Sequence, residues 1–230
     1  MIKRFESELL DVKNLSPSVK HFKFKTYEGF DYNGGYIVSI SIPSKDKKVK
    51  RLYSIASNPS EKGFIELCIK YVEGGPASEY LFNLKKGDKV EMIGPFRTFF
   101  IKDKGKNIVF ISTGAGIAPF RSMLYDLLNE NFDKKILMLN GYRYEDEVLY
   151  EDELKEFSKI NNFEYHVTIS RPRGEVKNKG RIQVLIEKFV NDLNADFYLC
   201  GLSGMINDVK ELLIKKGVDE KRIYFERFDV

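Results

Sequence analysis

Hydrophobic and polar residues alternate with a two-residue period through much of the first hundred residues. The alternation is clearest at residues 19–25, 36–42 and 64–71, and clusters of Gly, Pro, Asn and Ser separate these stretches. This pattern predicts half-buried β-strands. In this half, helical spacing occurs only at residues 77–84. The first half is therefore predicted to form a small antiparallel β-barrel of the Greek-key type.

The periodicity changes after about residue 104, where apolar stretches alternate with stretches of helical spacing. Strands are predicted at 107–112, 136–141, 163–169, 196–200 and 223–226, and helices at 119–130, 150–160, 181–190 and 204–216. Alternating strands and helices predict a parallel five-stranded sheet with helices on both faces, an α/β domain. The charged linker at 102–106 places the boundary, giving a barrel domain at 1–103 and an α/β domain at 104–230.

Composition narrows the class of protein. Of the 230 residues 43% are apolar and 31% are charged, no run reaches transmembrane length, and the first residues lack the apolar segment of a signal peptide. We therefore expect a globular, cytoplasmic protein without a membrane span. Two cysteines, Cys68 and Cys200, are too few for a four-thiolate centre, and the only histidines, His21 and His166, lie in strand patterns. No metal site is expected.

The formal net charge is +4, and lysines cluster at residues 45–50 and 102–106. Solvated loops are the favoured interpretation of these clusters, and a docking face for an acidic partner is the alternative. The sequence contains no basic recognition helix and no aromatic–basic module. Nucleic-acid binding is therefore not expected.

A glycine-rich turn joins an apolar strand pattern to a helical pattern at residues 107–119. A turn of this kind directs backbone N–H groups and a helix N-terminus at a phosphate. Gly114 and Gly116 allow tight turning and close backbone approach, and Pro119 suits the first turn of a helix. Taken alone, the motif fits an ordinary strand-to-helix turn equally well, because short glycine motifs recur often.

Two motifs in the barrel half offer similar chemistry. In the stretch 51–54, strand alternation places Arg51 and Tyr53 on one face and Ser54 on the other. An arginine beside an aromatic ring provides a phosphate clamp next to a stacking surface. The stretch 75–78, Gly-Pro-Ala-Ser, begins the predicted helix and offers a second helix N-terminus with a hydroxyl cap. The structural alternatives are a surface Arg–Tyr pair and a plain N-cap.

In their order along the chain these motifs resemble those of the ferredoxin–NADP reductase superfamily of flavoenzymes, and the resemblance covers nearly the whole chain. In the barrel half it comprises the Arg-x-Tyr-Ser flavin motif at 51–54, the FAD pyrophosphate motif at 75–78 and the last barrel strand at 87–96. In the second half it comprises the nicotinamide-dinucleotide loop at 112–119, the Cys-Gly nicotinamide motif at 199–205 and the C-terminal segment at 225–228. Each motif alone is weak evidence for the family. Their shared order along the chain and their placement in the two predicted domains make the resemblance specific.

The resemblance implies that the barrel domain binds FAD. Arg51 would pair with the FAD phosphate, Tyr53 would stack on the isoalloxazine, and Ser54 would hydrogen-bond flavin N5, the atom that receives hydride. Further contacts along the flavin and at its pyrophosphate would come from Ile69, Lys70, Gly75, Ala77 and Ser78. Phe228 would cover the flavin, because the chain does not end in the family's common stacking tyrosine.

The resemblance also implies that the α/β domain binds NADP(H) or NAD(H). Cys200 would lie near nicotinamide C4 and position it without acting as a nucleophile, and Glu226 would orient the carboxamide or relay a proton. Other nucleotide contacts would come from Thr113, Gly114, Gly116, Pro119, Gly201 and Met205. Ser170 and Arg171 look like the family's 2′-phosphate pair, with Arg181 nearby, which favours NADPH.

The activity implied is an FAD-containing oxidoreductase that splits the hydride of NAD(P)H into single electrons for a carrier such as ferredoxin or flavodoxin. The sequence has too few cysteines for an iron–sulfur centre of its own, so the carrier is a separate protein. The alternatives are an NAD(P)H:flavin or ferric reductase, the reductase component of an oxygenase, and a nucleotide-binding subunit without catalysis. The pyrophosphate motif at 75–78 argues against a reductase that releases its flavin, because such a site suits a retained FAD. The presence of Ser54 and Cys200 argues against a nucleotide-binding subunit without catalysis.

Overall fold

The computed structural model describes residues 1–43, 49–160 and 162–228, and the chain divides into two compact units. The barrel unit comprises Met1–Ile101 and Ala118–Asn131, and the sheet unit comprises Lys102–Ile117 and Phe132–Val230. The segment 118–131 therefore belongs to the barrel unit although it follows the first strand of the sheet unit. The domain boundary placed after residue 103 stays a prediction.

The barrel unit is built on a six-stranded antiparallel sheet. Its strands are β1 (Lys3–Ser16), β2 (Val19–Lys25), β3 (Tyr36–Ile42), β4 (Val49–Ser54), β5 (Phe64–Lys70) and β6 (Lys89–Arg97), in the order β4-β3-β6-β1-β2-β5. A bridge between Ile55 and Leu67 joins the two edges of the sheet and partly closes the barrel. Helix α1 (Pro76–Phe82) follows β5. The antiparallel barrel expected from the alternation is confirmed.

Alternation along the strands fills the barrel interior. Phe22 and Phe24 of β2 and Ile65 and Leu67 of β5 are fully buried in one apolar cluster. The sequence did not predict β1, the longest strand. Its pairing with β2 shifts register twice, so its hydrophobic positions do not keep a two-residue period.

The sheet unit contains a five-stranded parallel sheet. Its strands are β7 (Ile108–Thr113), β8 (Ile136–Tyr142), β9 (Phe163–Ile169), β10 (Asp196–Gly201) and β11 (Ile223–Arg227), in the order β11-β10-β7-β8-β9. The chain also forms helices α2 (Ile117–Asn129), α3 (Glu151–Phe157), α4 (Gln183–Phe189) and α5 (Ser203–Lys215). A one-turn 3-10 helix at Gly114–Gly116 leads from β7 into α2. The expected parallel α/β sheet is confirmed.

Every second residue of the central strands contributes to one apolar core. Val109, Ile111, Leu139, Phe197 and Leu199 pack in a cluster with residues of α4 and α5. Because all five strands run in the same direction, their carboxyl ends share one edge of the sheet. Ligands bind beyond this edge in open parallel sheets.

Within the described ranges, no helix is both long and apolar enough to cross a membrane. The same residues contain no cluster of three or more His, Cys, Asp or Glu side chains that could hold a metal ion. Cys68 and Cys200, both among the described residues, are buried and form no disulfide. Most of the basic cluster at 45–50 lies outside the described residues, since the structure does not describe residues 44–48.

Candidate functional site

The predicted flavin motif lies at the end of the edge strand β4. Arg51 is exposed, Tyr53 is half-buried and Ser54 is buried. Leu52 is also exposed, so burial increases towards the end of this strand instead of alternating. Burial raises the pKa of Tyr53 to about 12, against a smaller opposite effect of the Arg51 charge. The phenol is therefore neutral at physiological pH and offers a flat, uncharged surface for stacking.

The other edge strand, β5, contributes the backbone expected beside the flavin. The antiparallel bridge between Ile55 and Leu67 sets the register of β4 against β5. Continued by two residues, this register places Tyr53 opposite Ile69. Ile69 is buried and Lys70 is exposed, and β5 pairs with β2 along only one of its edges. Its other edge can offer backbone hydrogen bonds to a ligand.

The turn before α1 differs from the prediction in one respect. Its N-cap is Gly75, and no side chain caps the helix. Ser78 is the third helical residue, and its buried hydroxyl lies 2.8 Å from the carbonyl oxygen of Val72, 3.0 Å from that of Gly75 and 3.0 Å from the amide of Val72. The expected hydroxyl cap is wrong, because a side chain at this helical position points back over the preceding loop.

The chemistry of these residues fits FAD. A neutral ring, an open strand edge and the buried hydroxyl of Ser54 suit the isoalloxazine, and the Arg51 guanidinium suits a phosphate. The amides of Ala77 and Ser78 belong to the first turn of α1, where backbone donors have no acceptor within the helix. Such donors suit the pyrophosphate.

The predicted nucleotide loop packs directly on the backbone of β10. A Cβ atom at Gly116 would overlap the carbonyl of Cys200, so only glycine fits there. Gly114 has a φ of 55°, in the left-handed region that favours glycine. Thr113 precedes the loop at the carboxyl end of β7 and is half-buried. The close backbone approach expected at this turn is thus located at Gly116.

A second close approach joins this loop to the Cys-Gly motif. A Cβ at Gly201 would lie 2.7 Å from Oγ1 of Thr113 and 2.5 Å from Cε of Met205. The carbonyl of Gly201 accepts a hydrogen bond of 2.9 Å from the amide of Phe228. The predicted site residues brought together at this edge of the sheet are Thr113, Gly116, Cys200, Gly201, Met205 and Phe228.

Cys200 is fully buried and pairs in the parallel register with Glu226 of β11. Burial, and then the negative charge of Glu226, raise the pKa of the thiol well above its usual range. The thiol is therefore protonated at physiological pH, and a protonated thiol is a poor nucleophile. This chemistry suits a positioning role and not covalent catalysis.

Ser170, Arg171 and Arg181 lie beyond the carboxyl end of β9. The amide of Gly180 donates to the carbonyl of Ile169 at 2.9 Å, which brings Arg181 beside Ser170. Arg171 and Arg181 are exposed. The structure therefore brings all three residues to one place.

Arg143 joins this group although it is not among the site residues predicted from the sequence. It follows β8 and is exposed, and its carbonyl accepts a hydrogen bond of 2.8 Å from the amide of Arg171. An arginine two residues after the strand predicted at 136–141 was the available signal. Arg173 is engaged elsewhere: its Nη1 lies 3.1 Å from Oδ2 of Asp146, and its guanidinium stacks 4.5 Å from the ring centre of Tyr144.

Comparison with known proteins identifies the family of both units. The family model for the oxidoreductase FAD-binding domain matches residues 6–101, and that for the oxidoreductase NAD-binding domain matches residues 110–211. A ferredoxin–NADP reductase B of Sorangium cellulosum is 32% identical over 98% of this chain and 98% of its own length.

A second relative is longer than this chain. One subunit of the Na(+)-translocating NADH-quinone reductase of Idiomarina loihiensis is 35% identical over 90% of the chain, which spans 57% of that relative. Among solved structures, the ferredoxin–NADP+ reductase of Plasmodium falciparum with 2′P-AMP has a TM-score of 0.83 and 27% identity, covering 98% of this chain and 96% of its own. This chain belongs to the ferredoxin–NADP reductase family of FAD- and NAD(P)-binding oxidoreductases.

Proposed function

We propose that this enzyme takes hydride from NADPH and passes the electrons singly to a ferredoxin- or flavodoxin-type carrier in the cytoplasm. The observation that carries the proposal is the packing of Gly116 against Cys200, which joins a phosphate-binding type of loop to the predicted nicotinamide residue. The relative named a ferredoxin–NADP reductase supports the choice of carrier. FAD, when bound, supplies a group that accepts two electrons together and releases them one at a time.

The barrel residues would hold and tune the flavin. The hydroxyl of Ser54 would donate a hydrogen bond to N5, and its burial supports this role because a hydrogen bond is stronger away from water. Tyr53 would stack on the ring system, and Arg51 would neutralise a phosphate. The amides of Ala77 and Ser78 would bind the pyrophosphate.

The sheet residues would hold the nicotinamide dinucleotide. The loop from Thr113 to Gly116 would bind its pyrophosphate, and Cys200, as a neutral thiol, would orient the nicotinamide ring without reacting with it. Glu226 would bind the carboxamide or hold a proton. These residues would bring the reacting groups into position, which is the main contribution of a protein to hydride transfer.

The exposed arginines favour NADPH over NADH as the donor. Arg143, Arg171 and Arg181 gather positive charge beyond β8 and β9, where a 2′-phosphate would make charge-assisted hydrogen bonds. We expect Arg171→Ala to raise the KM for NADPH by about 10-fold or more and to leave the KM for NADH nearly unchanged. Steady-state kinetics with both donors measures this. Arg173→Ala is the matched control, since Arg173 is paired with Asp146.

The proposed function is tested by anaerobic titration of the purified protein with NADPH and NADH. We expect a yellow protein whose flavin absorbance is bleached at lower concentrations of NADPH than of NADH. An acceptor screen with ferredoxin, flavodoxin, cytochrome and free flavin then identifies the carrier. Absence of bleaching by either donor contradicts the proposal, and faster turnover with free flavin than with any protein carrier identifies a flavin reductase instead.

Ser54→Ala tests the role of the serine. Without the hydrogen bond to N5, hydride transfer should slow by about 10- to 100-fold while FAD stays bound. Stopped-flow reduction by NADPH measures the rate, and absorbance at the flavin band measures the FAD content. Ser41→Ala is a control in the same barrel, because the Ser41 hydroxyl bonds Glu91. An unchanged rate in Ser54→Ala contradicts the assigned role.

A further inference from the structure

Arg121 of α2 is a buried cation inside the barrel unit, with only 8% of its surface exposed. Its Nη1 lies 2.7 Å from the carbonyl oxygen of Ala56 and 2.8 Å from Oε2 of Glu66. Burial by itself would raise the pKa of Glu66, but hydrogen bonds from His21 and Arg121 lower it to about 2. Glu66 and Arg121 are therefore an ionised pair at physiological pH.

The pair belongs to a network around the segment that follows Ser54. The hydroxyl of Ser122, next to Arg121, donates to the carbonyl of Ser57 at 2.8 Å. The amide of Glu66 donates to the Ser57 hydroxyl at 3.0 Å, and the amide of Ala56 donates to the carbonyl of Glu66 at 2.8 Å. The side chains of Arg121 and Ser122 thus hydrogen-bond the consecutive carbonyls of Ala56 and Ser57, which follow the end of β4 that carries Ser54.

Helix α2 also touches the barrel backbone directly. A Cβ atom at Gly34 would overlap the backbone of Met123, and the amide of Gly34 donates to the carboxylate of Asp126. No side chain separates the two backbones at this point. A displacement of α2 would therefore be transmitted to the barrel without being absorbed by side-chain rotation.

A buried ion pair is a costly way to hold a helix, because desolvation offsets most of the attraction between the charges. Apolar side chains of similar volume would hold α2 as firmly. The guanidinium adds directional control, since its planar N–H groups hold an acceptor at a defined distance and angle. One acceptor of its Nη1 is the Ala56 carbonyl, two residues after Ser54.

We propose that Arg121 is a positioning residue that acts through Ala56 and Glu66 to hold the hydroxyl of Ser54 where hydride transfer requires it. The inference rests on the proposed role of Ser54 at flavin N5. Within the barrel unit, helix α2 presents Arg121 and Ser122 to the segment that follows Ser54. Arg121 should therefore affect the reduction of the flavin and not the retention of FAD.

The main test is the double variant Arg121→Met, Glu66→Gln, which removes the cation without leaving a buried unpaired carboxylate. We expect normal FAD content, a limiting rate of flavin reduction by NADPH that falls about 10- to 100-fold, and a Kd for NADPH changed by less than about 3-fold. We expect the flavin absorption band to shift in the same direction in this variant and in Ser54→Ala. Oxidation of the reduced enzyme by ferricyanide, which needs no nicotinamide, should keep its rate.

A control variant separates positioning from loss of stability. Ser7→Ala removes a buried hydrogen bond of 2.7 Å to the carbonyl of Lys25 on the same barrel. It should lower the Tm and leave the limiting rate unchanged. If the double variant does not fold, Arg121→Lys keeps the charge and loses the planar fork, and we expect a slowing of about 3- to 10-fold.

Two outcomes overturn the inference, and they differ from failure of the proposed function. A folded variant of Arg121 that retains FAD and reduces it within twofold of the wild-type rate, while Ser54→Ala is slow, shows that Arg121 does not position Ser54. If Ser7→Ala slows flavin reduction as much as the Arg121 variant does, the slowing comes from lost stability and the effect of Arg121 is merely structural. If Ser54→Ala itself is fast, the assigned role of Ser54 is what fails.

Discussion

The turns before α1 and α2 offer the same phosphate-binding chemistry but are held in different ways. The turn before α1 is closed by its own side chain, because the Ser78 hydroxyl bonds the backbone of Val72 and Gly75, no more than six positions away. The loop before α2 is held by a strand far along the chain, because Gly116 packs on the carbonyl of Cys200.

The two turns therefore depend on different kinds of residue. A turn closed locally depends on a hydroxyl, and the residues that form it are already neighbours in sequence. A turn closed by a distant strand depends on the absence of a side chain, and it takes its shape only when β10 is paired beside β7. Substitutions should therefore damage the two turns through different mechanisms and affect different cofactors.

The largest effect is expected from Gly116→Ala. The added methyl group overlaps the Cys200 carbonyl, so the loop or β10 must move. Flavin reduction by NADPH should fall by about 100-fold or more, because small displacements of bound substrate cost that much, while the FAD content stays normal. Stopped-flow kinetics measures the loss. Gly174→Ala is the control, because an added methyl group there would come no closer than 4.0 Å to another residue, and its rate should stay within about twofold. A normal rate in Gly116→Ala would contradict the packing argument.

Acid should distinguish the two units by their buried carboxyl groups. The pKa of Glu66 in the barrel unit is about 2 in the folded state against an ordinary value of 4.5, so its stabilising contribution is complete above pH 4.5 and is lost as the pH falls towards 2. The loss amounts to about 3 kcal/mol. In the sheet unit, burial raises the pKa of Asp196 against the opposing charge of Arg222, so acid favours its folded state.

Urea unfolding between pH 6 and pH 3 measures this difference, with release of flavin fluorescence reporting on the barrel unit. The free energy of unfolding should fall with pH in the wild type and fall less steeply in Glu66→Gln, which cannot titrate. Equal slopes for the two proteins would show that Glu66 does not carry the acid sensitivity.

Ser78→Ala should have a smaller effect than Gly116→Ala or the protonation of Glu66. It removes the hydroxyl that closes the turn before α1, which should cost about 1–3 kcal/mol of stability and weaken FAD binding by about 10-fold. In enzyme saturated with FAD, hydride transfer from NADPH should keep its rate, in contrast to Gly116→Ala. Flavin release by equilibrium dialysis measures the affinity. Ser60→Ala removes an exposed bond to Asn58 and is the control; equal FAD affinity in Ser78→Ala and Ser60→Ala would refute the role.

Periodicity in the sequence was enough to predict the two halves of the fold. The stretches that form β2, β3 and β5 largely alternate apolar and polar residues, and those of the parallel sheet are short apolar runs. The strand β1 was missed because its bulges interrupt the alternation. Most candidate residues of both sites could be selected because glycine, arginine and small polar residues stand at the ends of predicted strands and helices.

The sequence alone determined which residues could bind phosphates and flat rings, because residue type and local spacing decide that chemistry. The tertiary structure decided how those residues are held. In the folded protein, Ser78 does not cap α1 but closes the loop before it, and Gly116 packs on the carbonyl of Cys200. Arg143 lies beside Arg171, and Arg121 is buried against Glu66. These contacts join positions far apart in the chain or depend on the direction of a side chain, and such distances and directions exist only once the strands and helices have packed.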